Sequence, residues 1–169
     1  MSVTDLPVYS ELGFSDEEWG LLVGLPQAVL TAASAAETDS GRRTRAENAA
    51  GLDAIGGGRE SASPLVNAVA VEVVNRVGEP EFGEELPVIE PADPQALIAD
   101  VLDRAAQAAR LLADRVNEGE AGAYKHWLIG IADQVVGAAS TGGLLGIGGE
   151  TVTVSERRFR DRLAHVLND

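Results

Sequence analysis

Two long stretches, Pro94 to Asn117 and Glu120 to Ser140, repeat apolar side chains at intervals of three and four residues. In the first the positions are Leu97, Val101, Leu102, Ala105, Ala108, Leu111 and Leu112; in the second, Ala123, Trp127, Leu128, Ile131, Val135 and Ala138. That interval gathers them on one stripe of a helix, whereas a strand would need alternation. Asp93-Pro94 supplies an N-cap and a first-turn proline, and Gly119 stands between the two stretches. A break this short returns the chain on itself, so the spacing predicts an antiparallel helical hairpin over 94–140 as the spine of an all-α domain.

The remaining signals add shorter helices around that spine. Ser15-Asp16-Glu17-Glu18 has the form of a capping box, with Phe14 and Trp19 placed to staple the entry. The helix it opens is expected to reach about Thr38 and to kink or break near Leu25, ahead of Pro26. An Ala-rich helix follows from about Thr44 to Ile55, ended by Gly56-Gly57-Gly58. Ser63-Pro64 caps the segment Leu65 to Val77, whose β-branched content suits a strand and whose cap and alanines suit a helix. Its helical neighbours and the lack of a partner strand favour the helix. Residues 78–93 form a Pro- and Glu-rich connector within what reads as a single helical domain over 1–169, and Ser155 caps a last helix with Phe159, Leu163, Val166 and Leu167 inward. The sum is a compact all-α bundle of five to seven helices.

Charge constrains the surroundings of such a bundle. The net charge is −14, and Lys125 is the sole lysine beside twelve arginines. Excess acid with almost no lysine fits a halophilic surface, since screening in molar salt shortens the Debye length to about 3 Å and relieves the repulsion. An acidic protein encoded by a GC-rich genome would share the preference for arginine. Either origin disfavours nucleic acid and anionic membranes as partners. No apolar run is long enough to cross a membrane, and Met1 to Ser10 has Asp5 but no basic residue, unlike a secretory signal; a cytoplasmic location is expected.

Catalytic constellations are missing from the pattern. With no cysteine there is no disulfide, thiolate nucleophile or cysteine metal site. His126 adjoins the apolar stripe, and His165 follows Asp161 by one helical turn, but no Glu-x-x-His or His-Glu-x-x-His motif accompanies them. Neither a metal nor a cofactor is expected. Gly142 to Gly149 lacks the Gly-Lys-Ser/Thr ending of a phosphate loop and follows a helix rather than a strand. Its Leu144, Leu145 and Ile147 are better read as side chains pinned to the core or offered to a partner. Arg157, Arg158, Arg160 and Arg162 form a basic cluster suited to an anion or an acidic partner, or to pairing with the chain's own surplus carboxylates.

Ala123-Tyr124-Lys125, Trp127-Leu128, the loop Gly142-Gly143, Leu145-Gly146, Gly148-Gly149 and then Val154-Ser155-Glu156 resemble a family of small uncharacterised helical prokaryotic proteins. The family pattern is Ala-Tyr-Lys-x-Trp-Leu, a glycine-rich loop and Val-Ser-x-x-Glu, and Phe14 to Trp19 resembles its opening. This chain departs from it at Leu144 and Ile147, where the family often has Phe, and at Arg158. The resemblance implies a helical fold and carries no activity. The Ala-rich first helix before Asp39-Ser40-Gly41 is also faintly similar to tellurite-resistance TerB-like helical domains.

These readings converge on a non-catalytic cytoplasmic module that binds a protein partner or itself, with Tyr124, His126, Trp127, Leu144, Leu145 and Ile147 as candidate interaction residues. A small-molecule or metal-handling protein using Tyr124, His126 and Asp133, or a stress-response protein of the tellurite-resistance kind, is the alternative. In light scattering the chain is expected to stay compact in about 2 M salt and to expand in about 0.1 M salt, where the Debye length is about 10 Å. Equal compactness in both would refute the salt-adapted surface.

Overall fold

In the computed structural model, which describes residues 13–35, 41–77, 93–141 and 154–168, six helices follow in order. They are α1 (Asp16–Ala35), α2 (Gly41–Gly57), α3 (Pro64–Val77), α4 (Pro94–Arg115), α5 (Glu118–Thr141) and α6 (Val154–Asn168); a 3-10 turn, Gly58–Glu60, links α2 to α3. No strand occurs among the described residues, so the all-α reading holds and the ambiguous segment 65–77 is helical. The connector 78–92 and the glycine-rich segment 142–153, with Leu144, Leu145 and Ile147, lie outside the described residues.

The helix starts follow their caps. Ser15 and Glu18 form the reciprocal box: the Ser15 amide donates to the Glu18 carboxylate at 2.8 Å, and the Glu18 amide donates to the Ser15 hydroxyl at 3.2 Å. The bond from the Ser15 amide holds the Glu18 carboxyl below its usual range, helped by the Ser15 hydroxyl and Arg115 and opposed by desolvation. Phe14 and Trp19 are both buried with ring centroids 6.3 Å apart, completing the staple. Asp93 accepts from the amides of Gln95 and Ala96, each at 3.1 Å, with Pro94 in the first turn behind it. Between α4 and α5 the boundary is set by Asn117 rather than by Gly119. The Asn117 side chain accepts from the Glu120 amide at 2.9 Å, so α5 begins two residues earlier than a glycine stop implies.

Burial explains which helix organises the others. α1 buries Trp19, Leu22, Val23, Leu25, Pro26, Val29, Leu30, Ala32 and Ala33, too wide a face for a surface helix, and it packs against all five other helices. The hairpin unit over 94–140 is present as α4 and α5, joined through Val116 and Asn117. Each of its helices packs more extensively against α1 than against the other. The most extensive interface of all joins α2 to α5. Gly51 lets α2 sit close to α1 and α5 together: a Cβ there would lie 2.5 Å from Leu30 of α1 and 3.0 Å from Val135 of α5. Leu128 and Ile131 on α5 are fully buried, each adding roughly 1.5–3 kcal/mol relative to exposure. No described helix is long and apolar enough to cross a membrane.

Candidate interaction groove

The candidate residues on α5 divide by what their polar atoms meet. Tyr124 is fully buried, and its hydroxyl donates to the Leu22 carbonyl at 2.7 Å. That carbonyl lies four residues before Pro26, whose ring nitrogen has no hydrogen to offer it. The phenol therefore replaces the helical bond that Pro26 removes, and α1 continues through the proline without the break that the sequence allowed. Trp127 acts in parallel on α2. Its indole N–H donates at 3.1 Å to the carbonyl of Ala54, within the last turn of α2, where carbonyls begin to lose helical partners. The indole lies over Gly58, where a Cβ would approach within 2.8 Å of the ring, so only glycine leaves room. The two rings meet edge to face, with centroids 6.0 Å apart.

Glu120 completes this framework one turn earlier. One carboxylate oxygen accepts from the Ser63 hydroxyl at 2.8 Å and from the Leu65 amide at 3.0 Å. The Ser63 hydroxyl in turn accepts from the Val66 amide at 3.2 Å, so a carboxylate from α5 anchors the positive end of α3.

His126 does not join these groups. It is exposed, and Asp133 is held elsewhere by Arg160, at 2.7 Å from its Nε. Among the described residues no cluster of three or more His, Cys, Asp or Glu side chains is arranged to hold a metal. Tyr124 and Trp127 thus serve as framework, while His126 is exposed.

An open groove of about 650 Å³ lies instead between α4 and α6. Leu102 and Ala106 of α4 and Val166 of α6 give it apolar lining; Asp103, Arg157, Arg158, Asp161, Arg162 and His165 give it charge and polarity. Leu102 is buried, while Arg157, Arg158 and Arg162 are exposed. The acids are engaged by neighbours: Asp103 accepts from Gln107 at 2.8 Å, and Asp161 lies 3.3 Å from Arg160. Among the described residues no ion pair holds Arg157, Arg158 or Arg162. Of the basic cluster, Arg160 pairs with the chain's own carboxylates, and the other three line the groove. Sequence marked the arginines but not Leu102, Ala106 or Val166 as their companions, because only the packing of α4 on α6 brings these together. No family model matches the chain, and no curated protein or solved structure is detectably similar to it.

The Tyr124 contact has a specific energetic signature. Tyr124→Phe leaves the Leu22 carbonyl without its donor and should cost about 1–3 kcal/mol in chemical denaturation. In a Pro26→Ala background the helix regains an N–H for that carbonyl, so the same substitution should cost clearly less; equal costs in both backgrounds would disprove the replacement.

Burial also pushes the Tyr124 phenol well above its ordinary value of 10.0. A group with a raised folded value keeps its contribution below the unfolded value and loses it as pH rises toward the folded one. Stability should therefore fall from about pH 10 upward, and Tyr124→Phe should flatten that decline in a denaturation series across pH.

Proposed function

We propose that this protein is a non-catalytic helical module that binds a protein partner, and that the groove between α4 and α6 is its contact surface. The observation that carries the reading is the set of three arginines, Arg157, Arg158 and Arg162, without ion-pair partners among the described residues and set around an apolar floor in a chain of net charge −14. Surplus carboxylates were available to neutralise them, as Asp133 and Asp161 do for Arg160. Arginines left beside Leu102 and Val166 present both charge and buried-surface potential to another molecule. The same negative total opposes nucleic acid. A cytoplasmic, salt-adapted setting is consistent with this chemistry, since an apolar floor retains its grip where screening weakens charge alone.

The alternative of a small-molecule or metal-handling protein draws less support from the site. His126 is exposed, and Asp133 is committed to Arg160. A stress-response role of the tellurite-resistance kind rests on the faint likeness in the first helix alone.

The test is affinity capture from the source cells, comparing the natural chain with Arg162→Glu and with Arg76→Glu, an exposed arginine of α3 away from the groove. A protein retained by the natural chain and by Arg76→Glu, and weakened at least about tenfold by Arg162→Glu in a follow-up titration, would support the reading. Equal retention by all three would remove the groove from the interaction, and light scattering on the same samples identifies a second copy of the chain as the partner.

A further inference from the structure

We propose that the occupant of the α4–α6 groove is an acidic amphipathic helix of a partner protein, an identification that rests on the partner-binding reading above. Three features of the groove select it. First, Arg158 and Arg162 stand one turn apart on α6, about 6 Å along the helix axis. That spacing matches carboxylates placed four residues apart on a facing helix. Second, the space between them and α4 has a small apolar floor, the half-buried Ala106 and Val166 beside the buried Leu102, and carboxylates alone would leave that half-buried part uncovered. A helix with apolar anchors on the same face as its acids fills both requirements, in the manner of helix-in-groove recognition. Third, the groove is a trough walled by two helices and open to solvent, with its arginines exposed. A small anion such as phosphate would find no water-excluded cradle in so open a trough.

Charge and floor divide the work. The arginines steer and orient an acidic helix, and the apolar contact sustains affinity when salt screens the charges. Binding should therefore weaken with salt without vanishing.

The experiment uses the full chain and a fluorescent peptide of ~18 residues, long enough to form helix, with glutamates and leucines patterned on one face. A scrambled peptide of identical composition tests the pattern, and inorganic phosphate serves as competitor. Fluorescence anisotropy is expected to show binding of the patterned peptide, at least about tenfold weaker binding of the scrambled one, and a similar loss with Arg158→Glu/Arg162→Glu, whose fold is checked by circular dichroism. Equal binding of both peptides would reduce the groove to unspecific charge attraction and overturn the proposal. So would undiminished binding by the double variant, or displacement by phosphate alone. If the patterned peptide fails to bind while a cellular partner is still captured through Arg162, the acidic helix is wrong and the module reading stands. If neither binds, both fall.

Discussion

A single hydrogen bond, from the buried Tyr124 hydroxyl to the Leu22 carbonyl, reconciles two demands that otherwise conflict. α1 must run unbroken through the centre of the bundle, because every other helix packs on it. Yet it carries Pro26, which cannot donate to the carbonyl one turn back. An unpaired carbonyl in a dry core would oppose folding, and a break would split the surface on which the bundle assembles. The phenol supplies the missing donor from α5. The cost of the proline to the helix is offset by a neighbour, so the integrity of α1 is a tertiary property.

From that bond the framework extends along one face of α5. Glu120 holds the start of α3, Tyr124 the middle of α1, and Trp127 the end of α2. The three are spaced by four and three residues, so they project from one stripe of the helix. Glycine at 51 and 58 lets α2 and the turn after it come close enough for these side chains to reach. Residues that look like a binding motif in one dimension are therefore mostly the pins of the bundle. His126, between two of those pins, is exposed to solvent.

The outer side of the molecule is organised by charge instead. α4 and α6 each bury one apolar stripe, Ile98 to Leu112 on the former and Phe159, Leu163 and Leu167 on the latter. Where their flanks meet, a partly apolar seam remains with arginines along its edge. Arg157, Arg158 and Arg162 are without ion-pair partners among the described residues, as is the exposed Arg110 of α4. Exposed ion pairs contribute little to stability, about 0–1 kcal/mol, so leaving these arginines unpaired costs the fold little and leaves them available to another molecule.

Local chemistry determined much of this protein before any packing was known. The capping box at Ser15 and Glu18, the cap at Asp93, the inward stripe of α6 and the helical character of 94–140 each depend on residues within one or two turns, whose geometry the chain carries with it. The boundary at Asn117 and the continuity through Pro26 did not follow from such signals, because each depends on which of two groups wins a particular hydrogen bond. The roles of Tyr124, Trp127 and Glu120, and the companionship of Leu102 with Arg162, were decided only by the tertiary structure. They join residues dozens of positions apart, and the periodicity that builds a helix says which face is apolar but not which neighbour will cover it.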